Sequence, residues 1–109
     1  MRIEFLYWRE CPSHETALAR LYDVLRDEGV TPSVELVHVG TEQEAARWQF
    51  PGSPTIRIDG NDIAEPPEGP GQFGLTCRAY RTDDGRISPL PSTEALRRAV
   101  RAARERAHT

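Results

Sequence analysis

The sequence predicts a mixed α/β fold, a central mixed sheet flanked by helices, with the element order β-α-β-α-β-β-α. Short apolar runs alternate with amphipathic helical segments over the first half of the chain, and extended runs and a closing helix follow. Two strands joined through a helix run parallel, whereas strands joined by a tight turn run antiparallel. The 109 residues, 38% hydrophobic and 28% charged, suit a single domain spanning residues 1–109.

The first strand and the first helix are predicted from the N-terminal apolar pattern. The run "RIEFLYW" places Ile3, Phe5 and Tyr7 on one face and ends at charged residues, which is typical of a strand. Residues 12–27 repeat apolar side chains at helical spacing, and Gly29 is expected to cap the end of that helix. The predicted buried stripe consists of Leu18, Leu21, Tyr22 and Leu25, supported by Ala17 and Val24.

A second strand and a second helix come next. "PSVELVHVG" alternates in polarity and is rich in β-branched residues, so it predicts a strand. Thr41 and Glu44 have the spacing of a capping box, which predicts the start of a short helix. The helix is expected to end at "FPGSP", because prolines and glycine disfavour helical geometry there.

The C-terminal half contains further extended runs and one helix. "TIRIDGND" predicts a third strand leading into a turn at Asp59, Gly60 and Asn61. Residues 64–74, "AEPPEGPGQFG", predict a loop that either lies on the surface or covers the site. "LTCRAYRTDDGRISPL" predicts a hairpin around "DDG", and Ser92 is expected to cap the last helix. The inward stripe of that helix is predicted to be Leu96, Ala99, Val100 and Ala103.

Charge and hydropathy argue against nucleic-acid and membrane partners. The net charge of −3 leaves no broad positive face for a phosphate backbone. The basic segment "LRRAVRAARER" belongs to the last helix, where the negative end of the helix dipole favours cations. No apolar run suits a signal peptide or a membrane span, so a cytoplasmic protein is expected. In a reducing compartment, the two cysteines are expected to be thiols with a redox, metal or packing role.

Cys11 is the first candidate for chemistry. It precedes Pro12 in "WRECPSHETALARL", at the predicted start of the first helix. If Pro12 is the first helical residue, the Cys11 sulfur caps the helix and faces the unpaired N–H groups of Ser13 and His14. Those donors and the helix dipole would favour the nucleophilic thiolate, and the His14 imidazole could stabilise it or shuttle its proton. The alternative interpretation is a small buried cysteine without reactivity.

These features resemble the thioredoxin superfamily. The resemblance is carried by a strand before Cys11, by Cys11 and Pro12 at a helix start, and by "SPT" before a strand. It implies a thioredoxin-like fold with a cis peptide bond at Pro54, which would face Cys11. It also implies a thiol–disulfide oxidoreductase that acts on a thiol or disulfide substrate, whose backbone pairs with Ser53, and that needs no cofactor. The substrate-binding residues are expected to be Pro12, Ser13, Ser53, Pro54 and Thr55, with Trp8 as a further wall of the groove.

The motif departs from the C-x-x-C pattern of the superfamily, because "CPSH" has His14 in place of a second cysteine. Three mechanisms are therefore open. Cys11 acts alone and a low-molecular-weight thiol resolves its mixed disulfides, as in monothiol glutaredoxin-like proteins. Alternatively, Cys77 returns on a later strand and resolves Cys11, or Cys11, His14 and Cys77 together bind a soft metal. The simplest interpretation of Cys77 is a core cysteine, and that of His14 is a partly exposed first-turn residue.

Three functions compete at this stage. The first is a thiol–disulfide oxidoreductase acting through Cys11. The second is a mercury- or arsenic-binding protein or metallochaperone, which is favoured by two cysteines and a histidine and by a resemblance to small bacterial thioredoxin-like proteins labelled organomercurial-lyase-like. The third is a redox-inactive module that binds a peptide beside Pro54 or forms a homodimer through its sheet edge.

Overall fold

The computed structural model describes residues 1–64, 73–82 and 84–107 and places three helices and six strands within them. The helices are α1 (Ser13–Asp27), α2 (Glu42–Trp48) and α3 (Thr93–Ala107). The strands are β1 (Ile3–Tyr7), β2 (Val34–His38), β3 (Thr55–Ile58), β4 (Asn61–Asp62), β5 (Tyr80–Arg81) and β6 (Ile87–Ser88). None of the helices in these ranges is long and apolar enough to cross a membrane.

Four of the strands form a mixed sheet in the order β2-β1-β3-β4. β1 and β2 are parallel, and β1–β3 and β3–β4 are antiparallel, so the predicted mixed α/β class is confirmed. The predicted turn is shorter than expected, because Asn61 already belongs to β4. Asp59 (φ 53°) and Gly60 (φ 84°) form the turn alone, and positive φ at two central residues is the geometry that matches the twist of a tight hairpin.

The predicted hairpin of the C-terminal half forms a separate two-stranded sheet of β5 and β6. Cys77 precedes it and does not lie in a strand, because its ladder contact is one isolated parallel bridge to Ser53. Of the predicted loop, residues 65–72 lie outside the described residues.

The helix caps follow the sequence signals closely. The backbone N–H of Glu44 donates to Thr41 Oγ1 at 3.0 Å, and that of Ala95 donates to Ser92 Oγ at 3.0 Å, which confirms both predicted N-caps. Gly29 adopts φ 69° directly after the last turn of α1, as a helix-ending glycine does. The start of α1 differs from the prediction, because its cap residue is Pro12, one position after Cys11.

The sheet is covered on both faces. One face of β1 and β3 packs against α1 and α3 in a cluster that contains Ile3, Phe5, Leu21, Val24, Ile56, Leu96 and Val100. The other face packs against α2 around Leu6, Val39, Ala45 and Phe50, with Trp8 half-buried at its margin. Tyr22, which was predicted to belong to the buried stripe of α1, is exposed. Leu36 is also exposed, on the edge strand β2.

The arginines of α3 have a more specific role than the dipole interpretation predicted. Glu28, at the end of α1, accepts from Arg101 Nε at 2.9 Å and from an Arg104 terminal nitrogen at 3.0 Å. Arg97 lies 3.6 Å from the same carboxylate. These ion pairs join the C-terminal end of α1 to the side of α3.

Candidate functional site

Cys11 lies in a tight turn at the end of β1 and is only 1% exposed. Its backbone N–H donates to Trp8 O at 3.0 Å, so the chain turns before α1 begins, and this explains why Cys11 does not occupy the cap position. The sulfur lies 3.2 Å from Ser13 Oγ and 3.5 Å from the carbonyl oxygen of Ser53, to which its thiol can donate. α1 has no side-chain cap hydrogen bond, so the predicted cap interaction of the Cys11 sulfur is wrong. The sulfur is buried, yet its neighbours are polar.

Cys77 is exposed to solvent, so its interpretation as a core cysteine is wrong, and it pairs with Ser53 in an isolated parallel bridge. Ser53 holds its segment through two backbone hydrogen bonds of 2.8 Å, one from Ser53 N to Thr76 O and one from Arg78 N to Ser53 O. A side-chain interaction with Cys11, partial burial and the charge of Cys11 raise the pKa of Cys77 from 9.0 to about 11. The structure thus brings together the two cysteines that the sequence separates by more than sixty positions.

In the described structure, the His14 side chain contacts a backbone carbonyl group and not the Cys11 sulfur. Its Nδ1 lies 2.6 Å from the carbonyl oxygen of Cys11, which can only accept, so Nδ1 is the donor. The imidazole stacks on the Tyr7 ring at 5.0 Å between centroids, and both rings line a cavity of about 300 Å³ that reaches Leu18 and Leu36. This arrangement orients the turn at Cys11.

The residues expected to bind substrate adjoin the cysteine pair. The Ser53–Pro54 peptide bond is cis, which confirms that prediction. Ser53, Pro54 and Thr55 are buried, and Ser53 Oγ accepts from the Trp8 backbone N–H at 2.9 Å. Pro12 is exposed and Ser13 is half-buried beside the Cys11 sulfur; Trp8 packs at the margin of the α2 cluster.

Two residues near the pair were not predicted. Gly52 has φ 143°, and a Cβ built there would lie 3.0 Å from the N and Cα atoms of Arg78. The sequence signal was the glycine in "FPGSP", which the pattern explains as a helix breaker and not as a site of close backbone contact. Arg78 is only 3% exposed. Because arginine is rarely buried, the polarity of the sequence alone predicts a surface position for it.

A three-ligand metal site does not form from the predicted residues. Within the described parts of the chain, no group of three or more histidine, cysteine, aspartate or glutamate side chains could hold a metal ion. The cysteine pair offers two sulfur ligands, and the described hydrogen bond of His14 is with a carbonyl oxygen.

The arrangement is chemically that of a dithiol. One thiol is exposed, the other is buried among polar groups, and both lie beside Ser53. Two neighbouring thiols can be joined by oxidation or bridged by a soft cation. Comparisons with protein-family models, with curated proteins and with solved structures found no match.

Proposed function

We propose that the protein is a thiol–disulfide oxidoreductase in which Cys11 and Cys77 form the redox pair. The observation that carries this proposal is the position of both cysteines at Ser53: the Cys11 thiol contacts the Ser53 carbonyl oxygen, and Cys77 pairs with Ser53 in an isolated parallel bridge. It favours Cys77 as the resolving thiol over the mechanism in which Cys11 acts alone. We also propose the thioredoxin-like fold, on the element order and on the positions of Cys11 before α1 and Pro54 before β3.

The proposed reaction is a two-step exchange. The Cys11 thiolate attacks one sulfur of a substrate disulfide, forms a mixed disulfide and releases the first substrate thiolate, which takes up a proton. Cys77 then loses its proton and attacks the Cys11 sulfur, which releases the second substrate thiol and leaves a Cys11–Cys77 disulfide. The substrate gains two electrons and two protons, and the protein dithiol loses them. Reduction of the protein by an external dithiol is the reverse of this sequence.

The raised pKa of Cys77 is the reason that the proposed exchange starts at Cys11. Cys77 keeps its proton near neutral pH because its pKa is about 11, so it is a poor nucleophile in the resting protein. Since Cys11 is nearly inaccessible, the Cys77 side chain must rotate aside when a substrate enters, and its exposure to solvent permits this while its backbone stays bound to Ser53.

The proposal is tested by equilibrating the reduced, folded protein with mixtures of reduced and oxidised glutathione and measuring the mass of the trapped species. We expect the wild type to form an intramolecular disulfide, about 2 Da lighter than the dithiol. The Cys77→Ala variant should instead accumulate a glutathione adduct at Cys11. A folded wild type that forms only mixed disulfides, or none, would contradict the proposal and favour a redox-inactive binding module.

A second candidate is the binding of a soft cation by the same two sulfurs. The position of both cysteines beside Ser53 favours it, because soft thiophilic ions prefer thiolate ligands. An anaerobic titration with Hg(II) distinguishes it: one equivalent bound tightly and lost in both Cys11→Ser and Cys77→Ser supports this function. Weak binding in the wild type, or binding that survives in either variant, counts against it.

A further inference from the structure

We infer that Arg78 is a positioning residue, which holds Cys77 against Cys11 and so sets the strength of the disulfide between them. This inference rests on the proposed function. Arg78 is a buried cation that directly follows the exposed Cys77, and the inference gives it a role in the chemistry of Cys77.

The backbone around Cys77 lies close to the backbone of Gly52 and Ser53 and needs further contacts to stay there. Its segment is joined to Ser53 by the two hydrogen bonds on either side of Cys77. The approach is so close that a Cβ at Gly52 would lie only 3.0 Å from the Arg78 backbone. Cys77 makes a single isolated bridge and belongs to no strand, and two backbone hydrogen bonds of the described chain hold it beside Ser53. A further anchor is therefore needed to keep its sulfur in place.

The guanidinium of Arg78 provides that anchor. It forms an ion pair with Asp62 of β4 at 3.0 Å and donates to the Ala64 carbonyl oxygen at 2.6 Å. It also donates to Thr55 Oγ1 of β3 at 3.2 Å and lies 4.6 Å from the centroid of the Tyr80 ring. One side chain thus ties the segment that carries Cys77 to two strands of the main sheet.

A second bond supports the same segment two residues later. The Tyr80 hydroxyl donates to the Pro54 carbonyl oxygen at 2.6 Å and accepts from Arg78 at 3.3 Å. Pro54 follows Ser53, whose carbonyl oxygen contacts both the Cys11 thiol and the Arg78 N–H. The anchor of Cys77 and the environment of Cys11 therefore share one stretch of backbone.

The burial of Arg78 is costly, which argues for a positioning role. The side chain is 1% exposed, and within the described residues its Nε is a buried donor without an acceptor. Replacing a buried ion pair by apolar residues is often neutral or stabilising, so such a pair is weak evidence for a role in stability and better evidence for a role in specifying geometry. Here the geometry that it specifies is the approach of residues 76–78 to Ser53.

Arg78→Lys and Asp62→Asn test the inference, with Arg86→Lys as a control on an exposed arginine of the same hairpin. Lysine keeps the charge but cannot contact several acceptors at once, and asparagine removes the charged partner of Arg78. In both variants we expect the equilibrium constant for the Cys11–Cys77 disulfide against glutathione to fall at least tenfold, which corresponds to about 30 mV. The pH dependence of Cys77 alkylation should also move from about 11 toward 9.0, the ordinary thiol value. The control should leave both quantities unchanged.

The outcomes separate the inference from the proposed function. If the folded variants keep the wild-type disulfide equilibrium and the wild-type alkylation profile, the inference is wrong and the proposed function stands. If the wild type forms no intramolecular disulfide, the proposed function fails and so does the inference. Should Arg78→Lys not fold, Asp62→Asn decides by the same two measurements, with thermal unfolding as the check on folding.

Discussion

The pKa of the Cys77 thiol is raised chiefly by the neighbouring Cys11. Deprotonation of Cys77 would disrupt its side-chain interaction with Cys11 and place two negative charges side by side, so the pKa of Cys77 is raised to about 11. The thiolate is the reactive form of cysteine, so exposure alone does not make Cys77 reactive. The exposure of Cys77 and the reactivity of its thiol are therefore separate properties.

Removing the buried sulfur should make the exposed one more reactive. In Cys11→Ala, Cys77 loses its side-chain interaction with Cys11 and the nearby negative charge, so its pKa should return toward 9.0. At pH 8 we expect its alkylation by a maleimide to become up to about 100-fold faster, the factor that two pKa units imply. Ser13→Ala, which alters the other side of the Cys11 sulfur, is the matched control. Equal rates in the wild type and Cys11→Ala would show that the two sulfurs do not interact.

Two elements are held together by contacts between residues distant in sequence. The segment of residues 76–80 depends on the close approach to Gly52, and α1 is joined to α3 through Glu28. Neither contact follows from helix or strand periodicity. One substitution can break each contact, and a matched substitution elsewhere in the chain serves as the control.

Gly52→Ala should displace the segment that carries Cys77. The added Cβ would lie 3.0 Å from the Arg78 backbone, closer than most real Cβ contacts, and φ 143° is unfavourable for alanine. We expect a lower melting temperature and faster alkylation of Cys77. Gly60→Ala is the control, because Gly60 also has a positive φ (84°) but nothing lies within 4 Å of its Cβ position. If the two variants alkylate at the same rate, the close approach at Gly52 does not position Cys77.

Glu28→Gln should loosen the contact between α1 and α3. The hydrogen bond from Arg101 and the charges of Arg101 and Arg104 hold the pKa of Glu28 below its usual value. Since the pKa is lowered in the folded state, this stabilisation is present above about pH 4.5 and is lost as the pH falls further. We expect the variant to melt a few degrees lower at pH 7 and the difference to shrink in acid. Glu94→Gln, at an exposed ion pair with Arg97, should have little effect, and an equal loss in both variants would contradict the assigned role of Glu28.

At the scale of the whole molecule, the sequence predicts local features well and long-range contacts poorly. The caps at Thr41 and Ser92 and the turn at Gly60 follow from side chains a few residues apart, and the structure confirms them. The sequence leaves three mechanisms open for Cys11 and cannot select the pairing with Cys77. That pairing depends on backbone hydrogen bonds at Ser53 between segments distant in sequence. Arg78 was missed because a polar residue in an extended run is expected to face solvent.

Cys11 lies near the start of the chain and Cys77 in its last third, which matters for synthesis and turnover. Under the proposed mechanism, a nascent or proteolysed copy that lacks the later segment can begin an exchange but has no second thiol to finish it. Such a copy would remain covalently attached to its first reactant as a dead-end adduct. Under that mechanism, a complete exchange therefore requires the part of the chain that carries Cys77.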